Sequence, residues 1–191
     1  MTEIAAIVAS YLLGSVSFAI IVATSQGVDI RTAGSGNPGM SNVMRVLGKR
    51  QAGLVLFGDA LKGAAAAALG VLAVDPAFGY VTLAAAVVGH SFPVWHRFKG
   101  GKSVATVIGG FMYLAPWIGL AMGVIWILLA LVWKRASIAS LVVMVLLVPA
   151  LAVTGRTTEE LLWGTAIALF VIVRHFSNIR RLVGSNEESI V

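Results

Sequence analysis

The residues best suited to chemistry fall in three polar clusters set between long apolar runs. The densest lies between His90 and Thr106 and contains Arg97, Lys99, Gly100, Gly101, Lys102 and Ser103. Cations among glycines and hydroxyls offer charge, backbone N–H groups and O–H donors to a single anion. They would be costly at a bilayer centre and belong at its edge. Gly101-Lys102-Ser103 ends like a P-loop, but His96 stands where that motif needs its first glycine. The P-loop is therefore rejected. The expectation is phosphate binding by Lys99, Lys102 and the N–H groups of Gly100 and Gly101, at the start of the helix that follows.

The first cluster runs Ser35-Gly36-Asn37-Pro38-Gly39-Met40-Ser41-Asn42, with Arg45 close behind. Its glycines let N–H groups converge on an anion, although the same residues suit an ordinary loop. The third cluster is Arg174-His175-Phe176-Ser177-Asn178, followed by Arg180 and Arg181. His175 and Asn178 are spaced to share a helix face. An imidazole there could accept a proton or hydrogen-bond a phosphate. Ser137 and Ser140, beside Lys134-Arg135, add hydroxyls. Asp59 and Lys62, inside an apolar run, are expected to pair within one helix. With zero cysteines, scattered histidines and no GxSxG elbow, neither a metal, a cofactor nor a protein nucleophile is expected.

These clusters need elements that hold them at a membrane surface. Of the 191 residues, 59% are hydrophobic and only 12% charged, and the mean hydropathy is +0.94. A soluble domain would carry about twice that charge. Apolar runs fall near 4–24, 51–74, 78–95, 104–133, 137–154 and 160–176. The fourth is too long for one span of about 20 residues, and Gly109-Gly110 with Pro116 divide it. The reading is an all-α polytopic membrane protein of seven helices, the fourth short, forming one domain over residues 1–191. Only Met1-Thr2-Glu3 precede the first run, so it reads as a retained span with its N-terminus outside. All basic residues except Lys62 and Arg156 then fall in cytoplasmic segments, with the C-terminus, in accord with the positive-inside rule. The Gly184-Ser185-Asn186-Glu187-Glu188 stretch reads as a frayed tail.

In order, the clusters resemble the motifs of the bacterial acyl-phosphate:glycerol-3-phosphate acyltransferases, the PlsY family. SGNxGATN corresponds to residues from Ser35 to Asn42, and GHxxPvfxxFkGGKGVAT to Gly89 through Thr106. RHxxNIxRLxxGxE begins at Arg174 and runs toward Glu187. Tyr11-Leu12-Leu13-Gly14-Ser15 and Asp59-Ala60-Leu61-Lys62-Gly63 are also similar to the family's segments. Met40 and Ser41 depart from the first motif and Ser103 from the second. In the third, Ser185 stands where glycine is expected, with Gly184 one position early.

The resemblance implies an acyltransferase of the bacterial inner membrane with its site facing the cytoplasm. Acyl phosphate and glycerol 3-phosphate would be its substrates, amid membrane lipids. Functional coupling to the enzyme that makes the acyl phosphate is implied, and no nucleic-acid partner. It places catalytic roles at Ser35, Arg45, Lys102, His175 and Asn178, and substrate contacts at Gly36, Asn37, Gly39, Asn42, Lys99, Gly100, Gly101 and Ser140. The proton of the attacking hydroxyl would pass to His175 or to a substrate phosphate oxygen. The rival reading is a transporter of a phosphate-containing small molecule, though such sites favour the membrane midplane. The HxxxxD of other glycerophosphate acyltransferases is absent, since Trp95, Gly101 and Arg180 occupy the fifth position after each histidine.

Overall fold

The computed structural model describes residues 1–187 and 189–190. Among them the regular structure is helical: α1 Thr2–Gly14, α2 Phe18–Thr24, α3 Met40–Leu47, α4 Lys49–Ala73, α5 Phe78–Ser91, α6 Val104–Leu114, α7 Pro116–Trp133, α8 Ala136–Val153, α9 Thr158–Arg174 and α10 Phe176–Val183. Glu188, the last residue of the expected tail, and Val191 lie outside the described residues. Five helical segments are long and apolar enough to cross a membrane. A sixth is added if α9 and α10, bent by 54° at His175, count as one. The protein is therefore all-helical and multi-pass, and α6 is a shorter apolar helix where the sequence places one.

The divided fourth run breaks at Ala115-Pro116 alone. Pro116 cannot donate a backbone hydrogen bond and sits at the first position of α7, where none is needed. Gly109 and Gly110 do not help to break it; they lie inside α6 as packing positions. A Cβ on Gly109 would stand 2.0 Å from the Ala60 carbonyl of α4, and one on Gly63 2.0 Å from the Thr106 carbonyl of α6. Without hydrophobic driving force in lipid, such backbone proximity supplies the packing between helices. The α1–α5 contact uses the same device at Gly14 against Ala86 and Gly89 against Tyr11.

Sequence periodicity does not reveal three features. The first apolar run is split after Gly14, and the Ser17 hydroxyl caps α2 by accepting from Ile20 N. The freed Val16 carbonyl is met by the Lys62 ammonium at 2.6 Å. The polar stretch around Arg45 folds as helix α3, and α10 turns away from α9 at His175 instead of continuing it. As the spacing predicts, Lys62 and Asp59 pair within α4 at 2.8 Å, both buried.

Candidate active site

A cavity of about 760 Å³ opens where the α2–α3, α5–α6, α7–α8 and α9–α10 connections meet. Of the thirteen residues singled out in the sequence, Gly101 is absent from its lining. Ser35, Gly36, Asn37, Gly39, Asn42, Arg45, Lys99, Gly100, Lys102, Ser140, His175 and Asn178 all reach it. Its other wall is apolar, formed by Leu56, Phe57, Ile108, Met112, Trp126 and Ile127 of α4, α6 and α7. One cavity thus joins a cationic, donor-rich mouth to a surface suited to a hydrocarbon chain.

In the first cluster Asn42 organises the loop. Its Nδ2 donates to the carbonyls of Ile30 (3.2 Å) and Ala33 (2.9 Å), and its Oδ1 accepts from Ser35 N (2.9 Å). The same oxygen receives Arg45 Nη1 at 3.3 Å. With both amide hydrogens spent and the side chain buried, Asn42 shapes the loop and aims Arg45 instead of presenting donors to a substrate. Ser140 differs from expectation for a similar reason. Its hydroxyl donates to the Ala136 carbonyl (2.7 Å) and accepts from Trp126 Nε1 (3.0 Å).

The second cluster folds back on α5. Arg97 and Phe98 both take left-handed backbone angles, and the N–H groups of Gly100 and Gly101 donate to the Ser91 and His90 carbonyls. Those glycine amides are therefore consumed, contrary to the expectation that they cradle an anion. What remains for one is the Lys102 side chain and the first-turn amides of α6, which a helix leaves without intrahelical partners. Ser103, where the resembled motif has glycine, adopts φ +66°, in the region glycine tolerates best. Its buried hydroxyl donates to the Val87 carbonyl at 2.8 Å and lies 2.8 Å from Ser91 Oγ. Two such bonds, each contributing about 1 kcal/mol, offset the backbone cost of a side chain there.

Lys102 crosses to the third cluster, donating its Nζ to Asn178 Oδ1. Burial, reinforced by nearby Arg181, pushes the Lys102 ammonium down to about 8. His175 sits at the α9–α10 corner with Nδ1 2.8 Å from the Val171 carbonyl. A neutral ring in that position carries its proton on Nδ1, leaving Nε2 as an acceptor.

Further groups of the cavity lining lie outside the residues that the sequence singles out for the site. The sequence places Glu187 in a loose tail, but its carboxylate accepts from Asn178 and from Arg181 at 2.7 Å. Burial favours its neutral form, yet these bonds, led by that of Asn178, hold the carboxyl below its ordinary value. The tail continues as Ser189, whose carbonyl receives Arg45 Nη2 and Nε at 2.7 and 3.0 Å. Arg174 stacks 4.8 Å from the Phe92 ring centre and donates Nη2 to the Gly101 carbonyl at 3.3 Å. His90, from the last turn of α5, also lines the cavity, as does Asp59. The motif ending at Glu187 and the flank at Arg174 were the available signals; nothing in the sequence marked His90 as adjacent to Asp59.

Fold and site together define an integral-membrane helical protein with a cation-lined cavity walled on one side by apolar helices. The family model described as glycerol-3-phosphate acyltransferase matches residues 4–185. The glycerol-3-phosphate acyltransferase of Thiobacillus denitrificans is 41% identical over 100% of this chain and 98% of its own length. That of Neisseria meningitidis serogroup C is 42% identical with the same coverage. Among solved structures, PlsY (YgiH), an integral membrane glycerol 3-phosphate acyltransferase, superposes in its glycerol 3-phosphate form with a TM-score of 0.93. The identity is 35%, covering 99% of this chain and 96% of that one. Its lysophosphatidic acid form gives a TM-score of 0.91 at 36% identity. The chain belongs to the glycerol-3-phosphate acyltransferase family.

Proposed function

We propose that this protein transfers a fatty acyl group from acyl phosphate to the sn-1 hydroxyl of glycerol 3-phosphate, yielding lysophosphatidic acid and inorganic phosphate. The observation that carries the proposal is the Lys102–Asn178 contact. It joins the second and third motifs in one cavity whose other wall is apolar. Both polar substrates carry phosphate, and donor and product carry a lipid chain. Family membership and the glycerol 3-phosphate and lysophosphatidic acid forms of the solved relative support this reading over a transporter.

In the mechanism, Arg45, His175 and Asn178 address one phosphate region and Lys102 the other, with Ser35, Asn37 and Lys99 at the mouth. A mixed anhydride is already activated, so the hydroxyl attacks the acyl carbon directly. The C–O bond to phosphate breaks and phosphate leaves with the electron pair. Cations held in a low-dielectric cavity stabilise the departing charge without reorganising. The attacking oxygen's proton goes either to a phosphate oxygen or to His175 Nε2, the ring atom left as acceptor by the Val171 bond. The whole chain acts as a single domain with seven membrane segments. Its N-terminus is outside, its C-terminus and site face the cytoplasm, and it lies in the inner membrane of a bacterium. Helix α6, about 16 Å long at 1.5 Å per residue, covers about half of a 30 Å hydrocarbon core and brings the Lys102 loop inward. Functional coupling to the enzyme that makes the unstable acyl phosphate follows from the chemistry of the donor.

The test supplies purified protein with labelled glycerol 3-phosphate and, in parallel, palmitoyl phosphate, palmitoyl-CoA or no donor. Lysophosphatidic acid formed with palmitoyl phosphate alone is the expected outcome. Product from palmitoyl-CoA would keep the transferase and overturn the donor. No product from a folded, monodisperse sample would reject the enzyme, and uptake of phosphate compounds into proteoliposomes would then support the transporter.

A further inference from the structure

An ion pair inside an apolar helix asks for a reason beyond helix stability. Taking two charges out of water is expensive, and apolar residues of similar size commonly serve stability as well or better. Asp59 and Lys62 are each only 2% exposed, and their pair does not stand alone. Lys62 Nζ holds the Val16 carbonyl at the α1–α2 break, and Asp59 Oδ1 lies 3.5 Å from Nδ1 of His90 on α5. Three elements are thereby tied at one point. The far side of the His90 ring then meets the second motif. A Cβ on Gly101 would come within 2.2 Å of His90 Nε2 and 2.9 Å of the Pro38 carbonyl, so only glycine fits between them.

Gly101 is fixed on every side. Its N–H donates to the His90 carbonyl at 3.1 Å, its carbonyl accepts from Arg174, and its Cα faces the His90 ring. The next residue is Lys102. We infer that Asp59, Lys62 and His90 are positioning residues. They hold the His90 ring as a buttress beneath Gly101, which sets where the Lys102 ammonium is presented in the cavity. This rests on reading Lys102 as a phosphate ligand. It gives the buried pair a part in the reaction that its intrahelical spacing does not suggest. A 1 Å displacement of such a group can cost on the order of a hundredfold in rate, so a rigid support in the helix core has a kinetic purpose.

The test is a double-mutant cycle on ligand binding, which separates positioning from general stability. Glycerol 3-phosphate and inorganic phosphate are titrated calorimetrically against the parent, His90→Asn, Lys102→Ala and the double variant. His90→Asn keeps a polar partner for Asp59 and withdraws the ring from Gly101. It should weaken binding of at least one probe about tenfold in the parent background and less than twofold when Lys102 is already alanine. An equal loss in both backgrounds, or no loss in the parent, overturns the inference. The charge-balanced pair Asp59→Asn/Lys62→Met reports the same coupling, so one folded background of the two decides. If Lys102→Ala binds both probes as tightly as the parent, the reading of Lys102 itself fails, whatever His90 does.

Discussion

At the scale of residues, the chemistry centres on one lysine whose charge the fold has made conditional. Burial and Arg181 lower the Lys102 ammonium to about 8, from an ordinary 10.5. Its positive charge is therefore half lost at about pH 8, complete well below that and gone well above it. kcat/KM, which reports the free enzyme, should fall as pH rises through about 8. Lys102→Arg should carry that fall beyond pH 10, because guanidinium stays charged, while Lys102→Ala should abolish turnover in a protein that still folds. An alkaline limb unchanged by Lys102→Arg would reject the assignment. The sign for stability is opposite. A depressed lysine costs the fold stability below pH 8, and that cost is relieved as pH climbs toward 10.5. Residue type alone did not separate ligands from scaffolding. Asn42 and Ser140 look like substrate donors in the sequence, yet their hydrogen-bonding groups are taken up by Ile30, Ala33, Trp126 and Ala136.

Among the elements, the decisive contact is the crossing of α4 and α6, because α4 carries Asp59 and Lys62 while α6 begins just after Lys102. Two glycines make that crossing close. Gly63→Ala should destabilise the protein by about 1–3 kcal/mol or more, since its methyl would meet the Thr106 carbonyl at 2.0 Å and backbone cannot step aside cheaply. Gly53→Ala, on the same helix with nothing within 4 Å, should be neutral or stabilising by up to about 1 kcal/mol. Thermal unfolding in detergent compares the two, and equal melting temperatures would refute the packing argument. The sequence does not display helix α3, because it lies in a glycine-rich polar stretch where loop signals dominate. The bend at His175 leaves no sequence signal, because an apolar helix running into a polar flank looks continuous along the chain.

For the whole molecule, the absence of cysteine from the sequence makes topology directly measurable with single introduced thiols. Phe98→Cys, Arg135→Cys and Ser185→Cys should react with a membrane-impermeant maleimide only in inverted vesicles. Asp75→Cys and Arg156→Cys should react only in right-side-out ones. Labelling of Phe98→Cys and Arg135→Cys from opposite sides would mean that α6 and α7 together cross only once, and the seven-segment arrangement would fall. The same experiment tests the charge asymmetry, since every basic cluster is assigned to one face.

Apolar run lengths, the proline at position 116 and the order of three polar motifs were enough, read from sequence, to establish a helical membrane protein, the places of its apolar helices and its family. Those properties depend on local composition and on spacing along the chain, which a sequence displays directly. Tertiary structure decided which polar groups are spent on the protein itself. It turned the Gly100 and Gly101 amides inward, tied Glu187 and Ser189 to the site, and set His90 between Asp59 and Gly101. Each of these depends on what approaches from another helix. In an interior without water, a hydrogen bond made to a neighbour is one no longer available to a substrate.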